Sequence, residues 1–209
     1  MLALLRIVEL DSGRIFIDGV DIRSLGLTKL RSKIAVIPQD PVLFSGTIRT
    51  NLDPFNDYSD EKLKDVLTRV GLFGVDASNS SASLSSLAGC QVQSLSDPVK
   101  DGGMNFSVGQ RQLLVIARAL LCGAAIVIMD EATAAVDADT DARIQKVMRS
   151  EFADATCITI AHRLNTIMDS DLILVMGDGR VEEFDTPKFL LSKGGMFRDL
   201  VKAASQEPQ

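Results

Sequence analysis

The run Ile126-Val127-Ile128-Met129-Asp130-Glu131 limits what this chain can fold into more than any other segment. A short apolar run rich in β-branched residues reads as a strand buried on both faces, as strands of parallel sheets are. Ligand chemistry in open parallel sheets gathers at the carboxyl ends of the strands, where the two acids fall. Side chains alternate along a strand, so Asp130 and Glu131 point differently and can hold separate jobs. One can hold Mg²⁺, directly or through water, while the other orients or deprotonates an attacking water. The same residues also describe a strand that ends in two solvated acids, and the run alone does not choose between the two.

Upstream, Asn105-Phe106-Ser107-Val108-Gly109-Gln110-Arg111-Gln112 opens an apolar-rich stretch that ends at Gly123. Ser107 is a good helix N-cap and Gly123 suits a helix stop. A helix N-terminus preceded by a loop of small residues offers backbone N–H groups to an anion, although an ordinary capped helix reads the same way. Taken with Glu131 downstream, the arrangement resembles the signature motif and Walker B strand of ABC-type ATPases. Further matches follow in the family's order. Val36-Ile37-Pro38-Gln39-Asp40 resembles the Q-loop, Ala134-Ala135-Val136-Asp137 the D-loop, and Ile158-Thr159-Ile160-Ala161-His162-Arg163-Leu164 the switch strand. His162 is the only histidine; in isolation it reads as an incidental polar residue, and the ordered motifs around it give it a role.

The resemblance implies a P-loop NTPase-like (RecA-like) α/β fold, with a parallel sheet core and an inserted helical sub-domain, N-terminally incomplete. No Gly-x-x-x-x-Gly-Lys-[Ser/Thr] occurs in the sequence, so the loop that cradles phosphates, its Lys and its Mg²⁺-binding hydroxyl are not among these residues. By resemblance, residues 1–9 are the helix that follows that loop, and Met1 is expected to be an internal methionine of a longer protein. The first strands of the family, and the aromatic residue it stacks on adenine, are not found either.

The 209 residues are enough for one domain with a sizeable core. A net charge of −6 argues against a basic nucleic-acid face, so no nucleic-acid partner is expected. Cys90, Cys122 and Cys157 are odd in number and widely spaced, which suits a reducing cytosolic setting and gives no metal-ligand pattern. Residues 1–9 do not read as a secretory signal, because Arg6 interrupts the apolar stretch and no small-residue cleavage site follows. The longest run of apolar residues and glycine, 119–129, is shorter than the roughly 20 residues of a membrane-spanning helix.

Along the chain, residues 14–17 read as a strand ending in an Asp18-Gly19 turn, 28–33 as a helical turn, and 34–37 as a strand. Residues 41–49 read as a loop and then a short helix. A better helix starts at Ser59 and stops at Gly71, with Leu63, Val66, Leu67 and Val70 as its apolar face. Residues 76–96 are serine-rich without periodicity and read as an exposed, variable loop. Downstream, a strand at 126–130, helix at 140–152, strand at 156–160 and helix at 163–168 alternate as in a parallel sheet flanked by helices. Residues 172–176 and 180–184 flank Gly177-Asp178-Gly179, a hairpin signal. The tail, 187–204, reads as two short helices broken at Gly194-Gly195. The expected division is a core of residues 1–44 and 123–205, with a helical sub-domain at 45–122 that includes the signature.

By resemblance, the chemistry is ATP hydrolysis with Mg²⁺. Asp130 is the Walker B acid near the metal, Glu131 the catalytic base or water-positioner, and Gln39 a contact to Mg²⁺ or to the water. His162 meets the γ-phosphate, and Asp137 organises the interface between two nucleotide-binding domains. Ser107, Val108, Gly109 and Gln110 form the signature, which in this family closes on nucleotide held by the opposite domain. Implied partners are a second nucleotide-binding domain and the transmembrane domains of an exporter, and the implied place is the cytosolic face of a membrane, reached only through those domains. The usual signature is Leu-Ser-Gly-Gly-Gln, whereas this chain has Phe106 and Val108 at its first and third positions. That valine, together with Leu43-Phe44-Ser45-Gly46-Thr47-Ile48-Arg49-Thr50-Asn51-Leu52-Asp53-Pro54, resembles the second nucleotide-binding domain of C-subfamily (multidrug-resistance-associated) exporters. Two other readings stand beside this one. The chain could be a non-catalytic piece that supplies only a signature or pairing surface in trans, or a soluble ABC ATPase of translation or DNA repair, which the 43–54 segment disfavours.

Overall fold

The computed structural model describes residues 1–73, 92–130, 138–160 and 167–204, and the chain divides into two compact units, Met1–Ile158 and Thr159–Gln209. The strands are Phe16–Ile17 (β1), Val20–Asp21 (β2), Ile34–Ile37 (β3), Gly46–Thr47 (β4), Pro98–Val99 (β5), Ile126–Asp130 (β6), Thr156–Ile160 (β7), Ile173–Gly177 (β8) and Arg180–Asp185 (β9). The α-helices of the first unit are Leu27–Arg31 (α1), Ile48–Leu52 (α2), Asp60–Arg69 (α3), Val108–Cys122 (α4) and Ala138–Glu151 (α5).

β3 and β6 pair in parallel, with Ile34 opposite Ile126 and Ile37 opposite Met129, in a sheet of order β3-β6-β7. Alternation along these strands sends side chains into two separate cores. Ile34, Ile126 and Ile128 pack on one side with Ile22 and Leu30. Ala35, Ile37 and Val127 pack on the other with Leu113, Leu114 and Ile116 of α4 and Leu63 and Leu67 of α3. A strand covered on both faces has no polar side to show, which is why 126–129 is uniformly apolar.

Local chemistry sets the helix ends. Ser59 Oγ accepts from the Lys62 N–H, and Asp60 and Glu61 lie in the positive first turn of α3. α4 starts at a capping box: Ser107 Oγ accepts from the Gln110 N–H while Gln110 Oε1 accepts from the Ser107 N–H. It ends at Gly123 in the left-handed region, φ 56° and ψ 42°. Arg143 of α5 donates to the Gly71 carbonyl, and Arg69 pairs with Glu151, so α5 is held against the end of α3.

Among its described residues, the second unit holds a hairpin followed by two helices. Asp178 (φ 46°) and Gly179 (φ 74°) make the turn between β8 and β9. Thr186 caps the helix Pro187–Lys193, and Met196–Ala204 follows the glycine break. Ile173, Val175, Leu190 and Phe197 form their common core.

Two expectations are corrected. Residues 1–9 are not a helix but one turn, closed by bonds from the Arg6 N–H to the Ala3 carbonyl and from the Ile7 N–H to the Leu2 carbonyl. Arg6 itself turns left-handed, φ 49°, the usual way a helix is stopped, and its guanidinium anchors that conformation on the Ile22 and Leu25 carbonyls and on Glu9. The strand expected over 14–17 forms only at its last two residues. Most of the serine-rich loop and of the helix expected at 163–168 lies outside the described residues.

Leu67 is fully buried between α3 and α4, so Leu67→Ala should cost about 2–5 kcal/mol. Nothing stands within 4 Å of a Cβ placed on Gly123, so Gly123→Ala meets only the left-handed backbone penalty, about 1–2 kcal/mol, and Gly123→Asn should cost less. Urea unfolding midpoints measure all three.

Candidate functional site

The parallel register puts two of the expected site residues at the same end of the sheet. Because Ile37 lies opposite Met129, β3 and β6 end at the same level. Asp130 is the last residue of β6 and is half-buried, while Gln39 follows β3 by two residues and is exposed. A carboxylate and a side-chain amide thus leave the same sheet edge on neighbouring strands, where ligands gather in open parallel sheets. Glu131, Asp137 and His162 lie outside the described residues.

The signature residues sit at the head of α4. Ser107 is exposed, Val108 half-buried, and Gly109 and Gln110 are buried. Ser107 Oγ spends an acceptor site on the Gln110 N–H and keeps its O–H to donate. The first amides of any helix lack partners within it. A capped helix start of this kind suits a phosphate oxygen, with the capping box fixing the Ser107 side chain in place.

The donor set fits Mg²⁺ and nucleotide in a limited way. Asp130 and Gln39 supply hard oxygens, the type Mg²⁺ takes, and that ion keeps most of its positions for water and phosphate. Among the described residues no group of three or more His, Cys, Asp or Glu could enclose a metal ion. An ion held by one carboxylate, an amide and a ligand's own phosphates needs no such group.

Three residues that sequence reading passed over join α4 to the segment after β3. Gln112 has no exposed surface, and its Nε2 donates to the Pro38 carbonyl at 3.3 Å. Arg118 donates to the Val42 carbonyl (2.7 Å), the Asn51 carbonyl (2.5 Å) and Asn51 Oδ1 (2.7 Å). Burial lowers the pKa of its guanidinium, whose charge is solvated by these oxygen acceptors and which sits 6.0 Å from the Phe44 ring centroid. Asn51 is buried with every amide site engaged: Oδ1 accepts from the Phe44 N–H as well, and Nδ2 donates to the Phe44 and Thr47 carbonyls. The signal in the sequence was Gln112 and Arg118 themselves, long polar side chains bordering and interrupting the apolar run 113–121.

The comparisons with known proteins agree with this architecture. The family model described as ABC transporter matches residues 1–134. The chain is 48% identical over 204 residues to the ABC transporter C family MRP4 of Zea mays, covering 97% of this chain and 13% of that protein. It is also 48% identical over 204 residues to ATP-binding cassette sub-family C member 2 of Rattus norvegicus, covering 98% of this chain and 12% of that protein. Among solved structures, a bacterial Atm1-family ABC exporter with ATP bound superposes with a TM-score of 0.84 at 32% identity, over 100% of this chain and 34% of that one. The chain therefore spans about an eighth of the length of the curated relatives it matches. A parallel sheet with Gln39 and Asp130 at one edge, a capped signature helix, and a family match over most of the chain lead to one assignment: this chain belongs to the ABC transporter family.

Proposed function

We propose that this chain is part of a nucleotide-binding domain that binds and hydrolyses ATP to power export through a membrane. The observation that supports the reading is the shared register of β3 and β6, whose carboxyl ends carry the segments with Gln39 and Asp130. In this reading residues 45–122 form the helical sub-domain and the segments at 1–44 and 123–205 the α/β core. Its working form is a head-to-tail pair of such domains under transmembrane domains, on the cytosolic side. No described helix is long and apolar enough to cross a membrane, so the membrane is reached through those partner domains.

Mg²⁺·ATP, when bound, supplies the γ-phosphoryl group and part of the charge compensation its transfer needs. Asp130 holds the ion by its carboxylate, directly or through water, and Gln39 offers its amide oxygen to the ion or to the attacking water. Glu131 takes that water's proton or orients it. His162 as a neutral imidazole donates a hydrogen bond to a γ-phosphate oxygen. Ser107 and the amides at the start of α4 present donors to nucleotide on the opposite domain, and Asp137 aligns the two. The phosphate-cradling loop is not among the 209 residues, so in this reading another stretch of polypeptide supplies it.

Two measurements test this. In a membrane-embedded transporter that carries this segment, Glu131→Gln should keep ATP binding and lower turnover by about 10²–10⁴-fold, the usual worth of a general base; ordinary turnover in that variant would remove Glu131 from the role. The isolated 209-residue chain should show no specific Mg²⁺-dependent ATP binding by calorimetry, and micromolar binding would mean that its own residues hold the phosphates.

A further inference from the structure

Gln112 is a poor choice if stability alone decides. Its side chain is fully buried, its one hydrogen bond is long at 3.3 Å, and its Oε1 is buried without a partner. An apolar side chain of similar shape there would remove an unsatisfied acceptor from the core. The shortfall follows from the partner. Asn51 grips Phe44 by both its N–H and its carbonyl, but Gln112 faces Pro38, which has a carbonyl and no N–H. The amide is therefore half-satisfied by necessity while Pro38 is its partner. The next residue, Gln39, has the N–H that Pro38 lacks.

We propose that Gln112 is a positioning residue that ties helix α4 to the loop carrying Gln39, with Arg118 as a second, fixed anchor. This rests on the roles proposed above for Gln39 and for the start of α4. Arg118 and Asn51 hold residues 42–51 on α4 through short, fully used bonds. Gln112 holds Pro38 by a single bond with an acceptor to spare. The stretch between, with Gln39 and Asp40 exposed, is the part of the connection that can change its path. A shift that presents the Gln39 peptide to Gln112 lets the amide bond at both ends, so loop position and helix position are coupled through one side chain. Gln39 lies at the Asp130 edge and α4 carries Ser107 at its head, so the coupling joins the two ends of the proposed chemistry.

The test uses a transporter carrying this segment in lipid vesicles, with Gln112→Leu and Gln112→Met. Both remove the amide and nearly keep its volume, and Met covers the case in which Leu packs badly. The readouts are melting temperature, the ratio of substrate-stimulated to basal ATPase rate, and hydrogen exchange at residues 39–43. The expected result is an unchanged or raised melting temperature, a ratio that falls to near one, and exchange about tenfold faster, the worth of one hydrogen bond. A wild-type ratio with wild-type exchange overturns the proposal. So does a lowered melting temperature with basal and stimulated rates falling together, because that is a packing role. If the unmutated transporter hydrolyses no ATP, the proposed function fails by itself, and exchange at residues 39–43 alone decides the tie.

Discussion

The parallel ladder between β3 and β6 is what allows this chain to have a site at all. Parallel strands need cover on both faces, and each face here has its own core: Ile22 and Leu30 on one side, α3 and α4 on the other. Their ladder leaves no freedom of register, since a slip of one residue would exchange the side chains bound for the two cores. With register fixed by packing, the ends of the strands are fixed too. The level at which Gln39 and Asp130 emerge is thus a consequence of where Ile34, Ile37, Ile126 and Ile128 bury.

α4 is the second organiser, and its own ends are unusually well determined. A reciprocal cap at Ser107 and Gln110 sets its start, and a left-handed glycine sets its stop. Between them the apolar residues pack on β3 and on α3, while Gln112 and Arg118 reach the segment that leaves the sheet. Packing by apolar side chains is non-directional and would tolerate small rotations of the helix. The polar contacts are directional, and they are the ones made to backbone near Gln39.

Much of this was legible in the residues. β3, β6 and β7 follow their apolar runs, both ends of α4 follow from Ser107 and Gly123, and the β8–β9 hairpin follows from Asp178-Gly179. These are places where propensity, pattern and turn chemistry agree. The misses have physical causes. The apolar start of the chain has helical composition, yet Arg6 finds partners that stabilise a left-handed stop. β4 and β5 are too short to carry a pattern, and their pairing depends on tertiary contact. In the site, residue types and motif order singled out Gln39, Asp130 and Ser107, whereas the ties made by Gln112, Arg118 and Asn51 are contacts between distant segments that no spacing rule encodes.

Ile34 meets Ile126, and all of α2, α3 and α4 is strung between them. The entropy of closing so long a loop must be met before the ladder returns anything, which makes long-range parallel pairing slow. On a ribosome, β3 is finished long before β6 is made, and during that interval its edge has no native neighbour. The intervening helices contact one another early and shorten the effective loop, so their packing governs the rate as well as the final stability. Damage to the α3–α4 contact would then show first as lost yield during synthesis, with the molecules that do mature still able to form the Gln39–Asp130 edge.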